Sequence, residues 1–287
     1  MSAGDAEDRL CISFKALERA QHTIEDFVQT YFPLHGLDPL KDFLKWWHLL
    51  VFVEGAIYQA DEDNEQVAGG GAAGGKPAAA PASAGLDAVE AVLRQRDLLT
   101  EGVRWELLAG RQYWQEERRL CALMQRSPAV PPGGNAGDCG FTVQEVLAAS
   151  AAKSFDYRLL NHLLYALRGV QPDEALLAFL RADELLVDMG DDFLDYEDDI
   201  TAGGGGSFNL LRCFVHLHGE AAPLRLAERI SELEDERERL LAALPAQQRQ
   251  FLRRRQVEAA EGEGAGALRW QVPPLVLDEA AFRRQFG

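Results

Sequence analysis

Apolar residues recur at the three-to-four-residue spacing of an α-helix along most of the chain, and polar, glycine or proline residues separate the segments. No alternation of apolar and polar residues with a period of two persists, so the pattern predicts an all-α fold. The predicted helices lie at 10–31, 39–58, 86–100, 102–126, 155–167, 174–200 and 208–218, with two more between 222 and 260.

Several helix boundaries are marked by local sequence. Pro33 predicts the end of the first helix, and Pro39 predicts the first turn of the second, where proline is tolerated. Thr142 and Glu145 have the spacing of a capping box, which predicts a further helix after them. Pro245 predicts the break between the last two helices.

Three segments interrupt the helical pattern. Residues 67–85 are a low-complexity insertion rich in glycine, alanine and proline, to which no structure is assigned. Residues 127–140 and 202–206 are predicted loops. Because the helices on either side carry apolar faces that need each other, we expect residues 1–287 to form a single α-helical domain.

Composition narrows the classes of function. The net charge of −17 and the isoelectric point near 4.8 argue against nucleic acid and against an anionic membrane surface as partners. The four cysteines are far apart and form no CxxC pair, which favours reduced thiols. The acidic first ten residues do not have the pattern of a secretory signal, and no apolar run reaches the ~18 residues of a membrane span. These features predict a cytoplasmic protein with no transmembrane segment.

The most distinctive stretch is residues 190–199, which end a strongly apolar helix and contain six acidic residues. At 3.6 residues per turn, Asp191, Asp195 and Asp199 fall along one stripe, with Asp188 and Asp192 beside it. Two carboxylates about 5 Å apart repel by ~3 kcal/mol at an effective dielectric of about 20. Hard divalent cations prefer carboxylate oxygens, so the stretch predicts a magnesium site.

A second acidic cluster lies 130 residues earlier, at the end of the aromatic helix predicted at 39–58. Asp61 and Glu65 share one helical face, and Glu62 lies beside them. Acidic residues at a helix C-terminus oppose the helix dipole, which is a further reason to expect a cation nearby.

The two clusters resemble the metal-binding motifs of class I terpenoid synthases. Asp191, Asp192, Asp195 and Asp199 occupy the positions of that family's Asn/Asp-Asp-x-x-Ser/Thr-x-x-x-Glu motif, with Asp in place of the Asn, the Ser and the final Glu. Asp61, Glu62 and Glu65 are similar to its aspartate-rich DDxx(D/E) motif. The resemblance covers roughly residues 40–215, and the 208–211 sequence is similar to the family's continuation after the second motif.

This resemblance implies a class I terpenoid-synthase-like bundle and a terpene synthase activity. Such an enzyme is a Mg²⁺-dependent lyase of isoprenoid biosynthesis that ionises an allylic prenyl diphosphate to a hydrocarbon or alcohol. It implies that Arg158 and Arg269 are the catalytic, diphosphate-sensing arginines and that both acidic clusters bind Mg²⁺. The residues it implies for substrate binding are Trp47, Phe52, Tyr58, Phe155, Tyr165, Asn209 and Arg212.

Two other interpretations stay open. The first is a prenyl diphosphate synthase or a squalene/phytoene-synthase-like prenyltransferase, because residues 191–195 satisfy DDxxD. The second is a non-catalytic helical relative that binds metal or prenyl groups, because the second motif is entirely carboxylate. A homodimer is a further open alternative to a monomer.

Overall fold

The computed structural model of the protein describes residues 10–68, 83–127, 139–202, 205–261 and 270–286. The described part is α-helical and contains no extended strand, which confirms the predicted all-α class. The helices in chain order are α1 Phe14–Tyr31, α2 Phe43–Ala68, α3 Ser83–Gln95, α4 Glu101–Arg126, α5 Val143–Lys153, α6 Phe155–Arg168, α7 Glu174–Leu194, α8 Tyr196–Thr201, α9 Leu210–His218, α10 Ala222–Ala243, α11 Ala246–Glu261 and α12 Glu279–Phe286.

The chain divides into two compact units. Unit 1 comprises Met1–Trp114 and Phe155–Asp173, and unit 2 comprises Gln115–Ser154 and Glu174–Gly287. The expectation of one domain over residues 1–287 stays a prediction.

In unit 1, helix α2 packs against α1, α3 and α6. Its core is made of aliphatic and aromatic side chains such as Ile24, Phe27 and Leu50, all fully buried. Gly110 of α4 lies under the ring of Phe155, and a Cβ at that glycine would be 2.5 Å from the ring. Glycine at this position therefore lets α6 lie close to the first half of α4.

In unit 2, helix α9 packs against α5, α7, α8 and α10, and α7 also packs against α10 and α5. Every residue of α9 is buried except His218. The chain end returns to this unit, because α12 packs against α8. Helix α9 is therefore the centre of unit 2, and the acidic stretch at the end of α7 lies beside it.

Several predicted boundaries need correction. Helix α2 begins at Phe43 and not at Pro39, because the Asp38 side chain accepts hydrogen bonds from the Leu40 and Lys41 backbones and holds a separate turn. Helix α3 ends at Gln95 and not at residue 100, because Asp97 adopts a left-handed conformation with φ of 57°. Helix α12 was not predicted.

Other local predictions are confirmed. Thr142 and Glu145 form the capping box of α5 with both reciprocal hydrogen bonds. Tyr31 is the last residue of α1, ahead of Pro33. Helix α10 ends at Ala243 and α11 begins at Ala246, on either side of Pro245. The low-complexity insertion and the predicted loop at 127–140 lie largely outside the described residues, although α2 reaches Ala68 and α3 begins at Ser83. Of the predicted loop at 202–206, residues 202, 205 and 206 are described. Within the described residues, none of the helices combines the length and the hydropathy that a membrane crossing needs.

Candidate functional site

The backbone of the second acidic motif is almost continuously helical. The break between α7 and α8 falls at Asp195, yet the Asp195 N–H donates to the Asp191 carbonyl and the Asp199 N–H donates to the Asp195 carbonyl, both at 2.8 Å. These are the i to i−4 bonds of an α-helix, so Asp191, Asp195 and Asp199 lie one turn apart. The predicted stripe is therefore present in the backbone of unit 2.

Asp199 is held in one orientation by the segment that follows it. The Ser207 hydroxyl donates to one of its carboxylate oxygens at 2.6 Å, and the Asn209 amide donates to the other at 2.8 Å. Asn209 is fully buried and also caps α9, because its side-chain oxygen accepts from the Arg212 N–H. The fold thus fixes the third carboxylate of the stripe before any ligand binds.

Asp192 points into the protein. It is 2% exposed, and its two carboxylate oxygens accept from Lys153 Nζ at 2.6 Å and from the Leu210 N–H at 2.7 Å. Burial raises the pKa of Asp192 to about 6, although Lys153 and the Leu210 N–H act in the opposite direction. Burial disfavours the charge of Lys153 as well, but the carboxylates of Asp192 and Asp188 raise its pKa overall.

The stripe itself is more open. Asp191 and Asp195 are exposed, and Asp199 is half-buried. Partial burial and then the neighbouring Asp199 carboxylate raise the pKa of Asp195, with Lys153 acting in the opposite direction.

The donors of the stripe suit Mg²⁺ because all are carboxylate oxygens. Among the described residues, no three His, Cys, Asp or Glu side chains form a group that could hold a metal ion unaided. Mg²⁺ proteins commonly supply only one or two carboxylates, and water or a substrate phosphate supplies the remaining ligands. One or two neighbouring carboxylates of this stripe therefore fit such an ion by their chemistry.

Arg212 lies fully buried behind the motif. Its guanidinium makes a two-point ion pair with Glu279 of α12 at 2.7 and 2.8 Å, and it also donates to the carbonyls of Ser207 and Gly205. Burial alone would raise the pKa of Glu279, but hydrogen bonds from His216 and Arg212 lower it to about 2. The structure thus uses Arg212, predicted to bind substrate, to fix the 205–207 segment that orients Asp199.

The first acidic motif, in unit 1, is arranged differently. Asp61 accepts a hydrogen bond from the Trp114 indole at 3.0 Å. Glu62 accepts from the Ser13 hydroxyl at 3.3 Å, and Lys15 and Arg19 of α1 lie 3.5 and 3.9 Å from it. The side chain of Glu65 lies outside the described part of the chain.

Unit 1 also contains a buried pair of acids that the sequence did not reveal. Glu54, on α2, is fully buried and lies against Asp156 at the start of α6. Burial, with Asp156 adding to it, raises the pKa of Glu54 well above its usual range, and burial raises the pKa of Asp156. The surroundings therefore favour the protonated form of Glu54.

The remaining predicted residues have varied environments. Arg158 is buried and its Nε donates to Glu106 at 2.8 Å, whereas Arg269 lies outside the described residues. Of the predicted substrate-binding aromatics, Trp47 is partly exposed. Phe52 and Tyr58 are half-buried, and Phe155 and Tyr165 are buried in the packing of unit 1.

Sequence reasoning missed Lys153, Ser207 and Glu279 as neighbours of the second motif. Lys153 and Glu279 lie 39 and 67 residues from their partners Asp192 and Arg212, and neither belongs to a recognisable motif. Only Ser207 carried a signal, because it directly follows the glycine-rich 202–206 segment.

In comparisons with protein-family models, curated proteins and solved structures, no match to this chain was found.

Proposed function

We propose that the protein is a Mg²⁺-dependent terpene synthase-like lyase that acts on an allylic prenyl diphosphate. The observation that carries the proposal is the pre-oriented stripe of unit 2. In this stripe Asp199 is fixed by Ser207 and Asn209, and Asp195 and Asp191 lie one and two helical turns before it. Orientation before binding matters because the Asp199 side chain then loses less conformational freedom on binding.

In this proposal some residues bind the metal ion and others hold those ligands in place. Asp191, Asp195 and Asp199 present oxygen ligands to Mg²⁺, while Ser207, Asn209 and Arg212 keep the third of these in place. When bound, Mg²⁺ supplies the positive charge that stabilises a departing diphosphate. The reaction breaks the allylic carbon–oxygen bond, and the bonding electron pair leaves with the diphosphate.

The experiment combines purified full-length protein with Mg²⁺ and with C10, C15 and C20 prenyl diphosphates. It measures released diphosphate together with hydrocarbon and alcohol products. We expect turnover with at least one chain length and a loss of at least about 100-fold in Asp195→Asn. Asp61→Asn tests the first motif in the same way. A longer diphosphate formed from two substrates would instead indicate a prenyltransferase.

A matched control lies two residues after Asp195, in α8. Glu197 is exposed, and at the helical step of about 100° per residue it lies about 200° around the axis from Asp195, so Glu197→Gln removes the same charge without touching the stripe. We expect this variant to keep near-wild-type turnover. Equal losses in Glu197→Gln and Asp195→Asn would contradict the site assignment.

One observation favours a second function, the binding of metal or prenyl groups without turnover. The described arginines predicted to meet diphosphate, Arg158 and Arg212, are each ion-paired with a buried carboxylate of their own unit, Glu106 and Glu279. Breaking such a pair is costly, which opposes their transfer to a substrate. Mg²⁺ binding with no diphosphate release from any substrate would support this alternative.

A further inference from the structure

The start of α2 exposes three large apolar side chains along one face. Leu44 and Trp47 lie three positions apart on α2, and Leu40 lies in the turn before it. This turn is helical, because the Asp42 N–H donates to the Asp38 carbonyl at 2.9 Å. Leu40 and Leu44 are 80% and 72% exposed, and Trp47 is 43% exposed. Single exposed apolar residues are common on protein surfaces, but a row of them at helical spacing indicates an interaction site.

Residues 38–48, the α2 corner, contain two lysines and two aspartates and so have no net charge, in a chain whose net charge is −17. The Lys41 and Lys45 side chains are 84% and 60% exposed, whereas the Asp42 side chain is 19% exposed. Both carboxylates also accept hydrogen bonds from backbone N–H groups of the turn, at 2.8–3.0 Å. Each lysine pairs with one of the aspartates, but exposed pairs are weak, so the ammonium groups can exchange them for another anion. The corner therefore offers apolar side chains and cations to a partner.

A lipid surface suits this arrangement better than a second protein does. Lysine is depleted at the centre of protein–protein interfaces. Two copies of the chain joined through the α2 corner would also bring their lysines together, which like-charge repulsion opposes. At a bilayer, by contrast, lysine stems lie along apolar surface while the ammonium groups reach the lipid phosphates, and tryptophan is enriched at the level of the headgroups.

We infer that the α2 corner is a docking surface for a zwitterionic lipid bilayer. Leu40, Leu44 and Trp47 insert into the interface of the bilayer, and Lys41 and Lys45 meet the lipid phosphates. The lipid is zwitterionic because the net charge of −17 repels an anionic surface. Three partly inserted side chains supply no more apolar surface than one fatty-acyl chain, so binding is reversible, with an association constant of about 10⁴ M⁻¹ or less.

The test is cosedimentation of the full-length protein with phosphatidylcholine vesicles, at about 5 mM lipid because the affinity is low. No metal ion and no prenyl diphosphate is added, so the outcome does not depend on the proposed function. We expect the wild type to bind and Leu44→Ser to lower the partition coefficient by about five- to tenfold, because less apolar surface leaves water. Leu40→Ser/Leu44→Ser should reduce binding to the background.

Matched controls lie elsewhere on the surface. Leu224 of α10 is 64% exposed, and Trp105 of α4 is 62% exposed with its indole bonded to Glu101 at 3.4 Å. Leu224→Ser and Trp105→Ser should bind vesicles as the wild type does, whereas Trp47→Ser should bind at least about fivefold more weakly. Thermal unfolding of each variant without vesicles checks that it remains folded.

Charge reversal tests the lysines. Lys41→Glu/Lys45→Glu keeps every apolar side chain of the α2 corner but replaces its exposed cations, and we expect binding at least about threefold weaker. The inference is overturned if the wild type does not sediment with the vesicles, or if Leu44→Ser binds them as tightly as the wild type does. Self-association that Leu44→Ser removes, measured by analytical ultracentrifugation in the absence of vesicle binding, would assign the surface to a second copy of the chain instead.

Discussion

The two acidic motifs look alike in sequence but are held very differently within their own units. Each touches the residue that caps a helix: Ser13, the cap of α1, contacts Glu62, and Asn209, the cap of α9, contacts Asp199. Asn209 is fully buried, whereas the basic neighbour of Glu62, Lys15, has a side chain that is 74% exposed.

An acidic run does not by itself reveal how firmly its carboxylates are held. Exposed ion pairs are screened by water and add little, whereas a buried charge that loses its partner is costly. The second motif should therefore depend strongly on its neighbours and the first only weakly. The four predictions below test this difference.

The largest effect should come from Arg212→Met. This substitution removes the two-point ion pair of Glu279 and the donor to the carbonyls of Ser207 and Gly205, and we expect a loss of about 3–5 kcal/mol in the free energy of unfolding. Arg225, which pairs with Glu228 on the surface, is the control, and Arg225→Met should change stability by less than about 0.5 kcal/mol. Denaturant unfolding measures both, and similar losses would remove the distinction between the two kinds of pair.

As the pH falls, the stability of unit 1 should decrease at a higher pH than the stabilisation from the Arg212–Glu279 pair. Burial lowers the pKa of His35 from 6.5 to about 4, although its hydrogen bond with Asn161 opposes the shift. The unfolded chain therefore binds more protons between these values, and stability should fall by about 2 kcal/mol from pH 7 to pH 5. Hydrogen exchange in α6 of wild type and His35→Gln measures this. The pH dependence should shrink in the variant, and an unchanged dependence would exclude His35 as its source.

The contribution of Glu279 to the free energy of unfolding changes over a different pH range. Its pKa lies below the ordinary value of 4.5, so its stabilisation is fully present above that value and is lost as the pH falls toward about 2. The protection of α9 against exchange, relative to the intrinsic rate at each pH, should therefore be retained at pH 5, where the protection of α6 is already reduced.

Replacing the two capping residues compares directly how firmly each acidic motif is held. Asn209→Ala removes the cap of α9 and the donors to Asp199 and to the Asp192 carbonyl, with an expected cost of about 2 kcal/mol. Ser13→Ala removes the cap of α1 and a longer contact to Glu62, with an expected cost of about 1 kcal/mol. Thermal unfolding compares them, and a reversed order would mean that the first motif is the more firmly held.

The smallest effect is expected for Glu62→Gln. Its cationic neighbours Lys15 and Arg19 lie 3.5 and 3.9 Å away, and their side chains are 74% and 42% exposed, although the Glu62 side chain is only 14% exposed. The loss should stay below about 0.5 kcal/mol at low salt and vanish in 1 M salt, because exposed charges are screened there. Denaturant unfolding at both salt concentrations measures this. A salt-independent loss above about 1 kcal/mol would show that Glu62 is held as firmly as the acids of unit 2.

Local sequence determined much of the fold. Hydrophobic spacing predicted the helical class, Thr142 and Glu145 predicted the cap of α5, and Pro245 predicted the break before α11. It also placed Asp191, Asp195 and Asp199 one turn apart, because helical periodicity depends only on residues close together in the chain. The predicted start of α2 at Pro39 was wrong, because the Asp38 side chain accepts from the Leu40 and Lys41 backbones and holds a separate turn there.

Only the tertiary structure decided which acids are open and which are anchored. Asp192 differs from Asp191 by one position, yet packing turns it toward Lys153 and Leu210, while Asp191 stays exposed. Arg212 likewise finds its partner in Glu279, 67 residues away. Such pairs depend on where distant helices meet, and the free energy of burying a charge depends on that surrounding protein and not on its neighbours in sequence.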